Sequence, residues 1–144
     1  MFMTLYLNVK RNMKLKERIK NSETRQFKVV FPNTLNTHDT LFGGIAMQWM
    51  DEVAYLTATR FTRMKMVTIS TDKIQFKNAI KSGTIVEIIG KIVNIRGIKI
   101  DIQVEVFVEE MFSEVRLKAI NAIFTFVVID DNHKPIKIDF MGKP

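Results

Sequence analysis

Apolar and polar residues alternate along most of the second half of this chain, whereas one earlier stretch repeats with the period of a helix. The segment RQFKVVF places Phe27, Val29 and Phe31 on one face and reads as a strand, ended by Pro32 and Asn33. PNTLNTHDTLFGG, rich in Asn, Thr and Asp, reads as loop. Over residues 43 to 63 the period becomes helical. Gln48, Glu52, Tyr55 and Thr59 form a narrow polar stripe, Ala46, Met50, Val53, Ala54 and Thr57 lie opposite, and Trp49 and Leu56 fill one flank. So much apolar circumference predicts a helix wrapped by other elements. Thereafter the pattern is that of strands. MVTISTDKIQFKNAI alternates through Ile74 and Phe76, and GTIVEIIGKIVNI and IKIDIQVEVFV flank a hairpin turn at Asn94–Gly97, with Gly97 expected at positive φ. Ile98, Ile100, Ile102, Val104, Val106 and Val108 fall on one side, and Lys99, Asp101, Gln103 and Glu105 are expected to face water. VRLKAINAIFTFVVID is the last strand, and DDNHKPIK a closing turn and tail.

The order is one strand, one apolar helix and four strands in hairpin sequence, which predicts an α+β protein with an antiparallel sheet. A sheet with one apolar face needs a cover and the helix needs a wrapper. A curved antiparallel sheet of five to six strands around the long central helix, the hotdog fold, satisfies both. An exposed edge would remain, and pairing of edges in a dimer removes it.

The 144 residues suit one domain, expected over residues 23–144, with residues 1–22 as a basic N-terminal arm, in part disordered. The net charge of +7 is concentrated there, in Lys10, Arg11, Lys14, Lys16, Arg18, Lys20, Arg25 and Lys28 against Glu17 and Glu23. Aromatic residues do not interleave with these charges and no nucleic-acid motif is present, so a solvated arm is the expectation and nucleic acid is not expected as a partner. Basic charge also favours an anionic small molecule. No apolar run reaches the roughly 20 residues that span a bilayer, and no membrane is expected as a partner. The N-terminus lacks the order of a secretory signal. Zero cysteines exclude disulfides and fit a cytoplasmic location.

Candidate chemistry gathers at the start of the helix. Gly43-Gly44 offers backbone N–H groups without intrahelical partners, suited to polarising a carbonyl, although such a pair also serves a tight turn or close packing. Asp51 lies two turns beyond Gly44 on the same side and leans back toward the N-terminus. It reads either as a general base toward water or as a solvated aspartate at the edge of the polar stripe. Glu52 belongs to that stripe. His133 sits in the tail turn, and His38 in the loop is either a base or structural. With no Cys and no His/acid cluster, no metal site is expected.

FPNTLNTHDTLFGGIAMQWMDEVAYLTATR followed by VTISTDKIQFKNAIKSGTIVEI resembles the acyl-CoA thioesterase (acyl-CoA hydrolase) branch of the hotdog superfamily, over roughly residues 26–137. The joint spacing of Asn-x-His-x-Thr-Leu-Phe-Gly-Gly, Trp-Met-Asp-Glu and Val-Thr-x-Ser-x-Asp makes the likeness specific. It implies hydrolysis of acyl-CoA to free fatty acid and CoA, with acyl-CoA as the partner molecule and no cofactor beyond the CoA of the substrate. In similar enzymes a helix aspartate works with a polar loop residue across a dimer interface. Carried over, these are Asp51 and Asn36, with Thr68 positioning water or carboxylate. Gly43 and Gly44 would take the thioester oxygen, with His38 and Thr40 on the substrate-binding side. Some relatives place Asp or Asn where this chain has Thr40, with Asp39 offset by one. A homodimer is the minimal unit implied, and a trimer of dimers is common in similar proteins. Lys73, Lys77, Lys81, Lys91, Arg96 and the arm are candidates for the CoA phosphates, and Met47, Trp49 and Met50 for the acyl tunnel or plain core. The alternative is a noncatalytic acyl-CoA or acyl-lipid binding module on the same fold; a dehydratase of that fold would need a His–acid pair not found here.

Overall fold

The computed structural model describes residues 1–138, with the side chains of residues 10–13 excepted. The expected end of the domain, 139–144, lies outside the described residues. In order, the elements are α1 (Phe2–Ser22), β1 (Thr24–Val29), a 3-10 turn (Pro32–Thr34), α2 (Gly43–Thr62), β2 (Met66–Phe76), β3 (Thr84–Arg96), β4 (Lys99–Glu110) and β5 (Arg116–Val128). The strands form one antiparallel sheet of five in the order β1-β3-β4-β5-β2.

This sheet curves around α2, the hotdog architecture. Val86, Ile88, Ile100, Ile102, Val104, Phe124 and Phe126 project from it onto Ala46, Met50, Val53, Ala54, Ala58 and Phe61 of the helix, all buried. Gly97 has φ 60° and turns β3 into β4, as its place in the hairpin requires. The helix ends at Arg63, in the left-handed conformation with φ 55°.

The strand sequence is a hairpin series only from β3 onward. β2 does not pair with β3; it lies at the opposite edge beside β5. Its tail, residues 77–83, therefore has to cross the end of the sheet. It is held there by the N–H groups of Lys77 and Asn78 on the Ala119 carbonyl (2.7 and 3.2 Å) and by Leu41 N–H on the Ile80 carbonyl (2.7 Å). This crossing walls in the start of α2.

Two further expectations change. The apolar face of β1 is the outer one: Phe27, Val29 and Phe31 are exposed, and the buried residues are Thr24 at its start and Val30 just beyond its end. Asp101 is buried rather than solvated, because Arg96 donates two hydrogen bonds to it (3.0 and 2.9 Å) and the Thr125 hydroxyl a third (2.7 Å). Burial pushes its carboxyl up, but these donors outweigh that and hold it below its ordinary value of 3.8. Ile98, at the hairpin tip, is exposed.

The N-terminal arm is a helix. Leu15 and Ile19 of α1 pack on the core, and the two helices cap each other's C-termini. Arg18 donates to the Phe61 carbonyl (2.7 Å), while Arg60 donates to the carbonyls of Asn21 (2.8 Å) and Glu23 (2.9 Å).

Candidate active site

α2 begins without a side-chain cap. Its N-cap residue is Phe42, whose side chain has no acceptor to offer, and the first turn carries no acid. The N–H groups of Ile45 and Ala46 go to the Phe42 carbonyl (3.0 and 3.1 Å). Among the described residues no acceptor takes the N–H of Gly43 or Gly44. A Cβ on Gly43 would meet nothing within 4 Å, whereas one on Gly44 would lie 2.7 Å from the Phe42 ring. The α-carbon of Gly43 is thus open to approach, and that of Gly44 sits against the Phe42 ring. Two such N–H donors, reinforced by the positive end of the helix dipole, suit a carbonyl oxygen that gains negative charge.

The loop before the glycines is closed by Asn36. Its Oδ1 accepts the N–H groups of His38 (2.9 Å) and Thr40 (3.2 Å), and its Nδ2 donates to the Thr40 hydroxyl (2.9 Å). A backbone bond from Asn36 N–H to the Thr40 carbonyl (2.8 Å) completes the turn, with Asp39 at φ 60° and exposed. Thr40 therefore serves as the rest for Asn36, and one Nδ2 hydrogen of Asn36 stays available. His38 is exposed and enters only through its backbone.

A cavity of about 390 Å³ opens beside these groups. Asn36, Thr40 and Gly43 line it together with Ala46 and Ile80, and the crossing segment contributes Lys77 and Asn78. The sequence offered Lys77 and Lys81 of this segment as candidates for the CoA phosphates; its place over the helix start follows from the position of β2 at the far edge.

Asp51 and Thr68 form a second cluster. Thr68 Oγ1 on β2 donates to Asp51 Oδ1 (2.9 Å), and the carboxylate is half-exposed on the surface that α2 and β2 share. Neither residue lines the cavity. Gly43 and Asp51 are eight residues apart on α2, about 12 Å along the axis. Within one protomer the structure therefore brings Asn36, Thr40 and Gly43 together, and Asp51 with Thr68, but does not join the two groups.

The remaining candidates separate. Glu52 is exposed and accepts from Gln48 (3.3 Å), and His133 lies exposed in a turn at φ 62°. Met50 is core, whereas Met47 and Trp49 are half-buried, with Lys28 Nζ 5.2 Å from the Trp49 ring centre. Arg96 is engaged by Asp101, and Lys91 lies 3.9 Å from Glu23. Lys77 is the basic candidate at the cavity.

A curved antiparallel sheet closed around one apolar helix defines a hotdog domain. The sequence profile of the thioesterase superfamily matches residues 38–112, and the chain belongs to that family. It is 31% identical over 119 residues to an uncharacterized acyl-CoA thioester hydrolase of Bacillus subtilis, covering 83% of this chain and 69% of the relative. The acyl-CoA hydrolase of Staphylococcus aureus, solved with butyryl coenzyme A, coenzyme A and coenzyme A disulfide, superimposes with a TM-score of 0.79 at 30% identity, over 83% of this chain and 73% of that one. The same enzyme has been solved with a threonine, an aspartate or an asparagine changed to alanine, with TM-scores of 0.78, 0.78 and 0.79. There the asparagine precedes the aspartate by 15 positions and the threonine follows it by 17, the separations of Asn36, Asp51 and Thr68 here. A hexameric acyl-CoA thioesterase solved without ligand gives a TM-score of 0.81 at 28% identity, over 83% of this chain and 77% of that one.

Proposed function

We propose that this protein hydrolyses the thioester bond of acyl-CoA to a free fatty acid and CoA in the cytoplasm, using water activated by Asp51. The observation that carries the reading is the Thr68–Asp51 hydrogen bond at 2.9 Å, on a helix whose first amides are uncapped. The matching separations of the three residues altered in the Staphylococcus aureus hydrolase support it.

The Gly43 and Gly44 amides receive the thioester oxygen and stabilise the charge that builds on it. Thr68 occupies one carboxylate oxygen of Asp51 and turns the other toward water. Asp51 takes a proton as the hydroxide adds to the carbonyl carbon, and the spare Nδ2 hydrogen of Asn36 orients that water. When the tetrahedral intermediate collapses, the C–S bond breaks and the departing thiolate regains the proton from Asp51. CoA leaves as the thiol and the acyl group as the acid.

In this reading the two half-sites meet between protomers, with Asn36 and the amides of one subunit facing Asp51 of its partner. The edge strand β2 supports that arrangement, since Val67, Ile69, Ile74 and Phe76 stand exposed along it beside Thr68. A homodimer is then the smallest competent unit, and a trimer of dimers the expected assembly. Lys77, at the cavity, is placed to meet a phosphate of CoA.

The test is thiol release from acyl-CoAs of graded chain length. Asp51→Asn should fold and assemble as the wild type does while losing at least about 10²-fold in kcat. Near-normal turnover by this variant on its best substrate would reject Asp51 as the base.

A further inference from the structure

The first half of α1 projects beyond the contacts that root the helix on the domain. From Leu15 onward the helix is rooted by core packing and by the paired arginine caps. Ahead of that root, Phe2, Met3, Leu5, Tyr6, Leu7 and Val9 are 86, 74, 63, 63, 57 and 52% exposed. Folding ordinarily removes such side chains from water, and here six of the eight positions from 2 to 9 are left in it. At 100° per residue they cover an arc of about 200°, with Thr4 and Asn8 in the gap. Six basic residues follow, Lys10 to Lys20, against Glu17 alone, and Lys14, Lys16 and Lys20 are exposed.

We infer that the projecting half of α1 docks on an anionic membrane surface. The apolar arc sinks into the boundary between headgroups and acyl chains, and the lysines that follow lie against lipid phosphates. Neither feature is enough alone: an arc of six residues binds lipid weakly, and stable surface attachment needs a second signal, which the basic stretch supplies. A second copy of the helix fits less well. A helix–helix seam requires the apolar spacing to continue, but past Val9 the row keeps only Met13, and its next positions, Lys16 and Lys20, carry like charges that repel their copies. No helix among the described residues is long and apolar enough to cross a membrane, so the contact is interfacial. The inference departs from the sequence-based expectation that no membrane is a partner, and it stands apart from the proposed hydrolysis.

The experiment is flotation of the full chain with vesicles of phosphatidylcholine alone or mixed with phosphatidylglycerol. Partition onto the anionic vesicles should exceed that onto neutral ones about tenfold and fall as salt is raised. The triple variant Phe2→Ser, Leu5→Ser, Leu7→Ser and the pair Lys14→Gln, Lys16→Gln should each lower it about tenfold with Tm unchanged, since these side chains lie ahead of the root or face solvent. Leu5→Trp should shift its emission to the blue only when anionic vesicles are added. Absence of flotation, or flotation that the serine variant leaves intact, overturns the inference. So does a serine variant whose molar mass in solution drops, which would assign the helix tip to a second copy.

Discussion

Phe42 stands at an N-cap, where Ser, Thr, Asp and Asn prevail because their oxygen ties down an amide of the first turn. Leaving that bond unmade costs the helix about 1 kcal/mol and leaves the Gly44 amide, the second of the helix and within reach of a cap side chain, without that partner. Phe42→Ser should therefore raise Tm while lowering kcat for acyl-CoA hydrolysis severalfold, as the new hydroxyl competes with the thioester oxygen. Thermal melts and thiol release on the same preparation check both halves; unchanged activity in a stabilised variant would remove the Gly44 amide from the site. At this scale the sequence was partly legible. Counting puts the glycine pair and Asp51 on one side of a helix, but not that they stand in separate clusters within one protomer. That Thr40 holds Asn36, or that Asp101 is drawn inward by Arg96 and Thr125, depends on contacts that no spacing along one strand or loop encodes.

Among the elements, α2 and the hairpins β3–β4 and β4–β5 follow from period and turn chemistry, whereas the place of β2 does not. Its alternation is ordinary, and only the closed sheet decides that it lies beside β5 and sends residues 77–83 across the helix start. The packing of α2 on β3 is equally hidden. Gly90 has no turn to make; it is glycine because α2 crosses it closely. A Cβ there would collide with the Thr57 hydroxyl, itself bonded to the Val53 carbonyl (2.8 Å), and would stand 3.1 Å from Val53 Cγ1. Both neighbours are fixed in a buried helix and cannot give way cheaply. Gly90→Ala should cost about 1–3 kcal/mol, read as a lower midpoint in urea unfolding with the slope unchanged. A neutral result would mean that helix and sheet separate more freely here than the packing implies.

For the whole molecule, the division of the proposed site into two clusters makes its assembly testable by mixing. Asn36→Ala removes the loop half and Asp51→Asn the helix half, so each variant alone should be nearly inactive. If every site joins Asn36 of one protomer to Asp51 of its partner, a mixed dimer contains one site with both native residues and one with neither. Random pairing of equal amounts makes half the dimers mixed, and activity should return to about a quarter of the wild-type value. Sites contained within one protomer would stay broken in every combination, and the mixture would remain as inactive as its parts. Co-refolding the two variants, with light scattering to establish that dimers or larger assemblies re-form, gives the comparison. Recovery would explain in one step why β2 leaves Val67, Ile69, Ile74 and Phe76 exposed beside Thr68: that surface would be covered in the only form of the protein able to act.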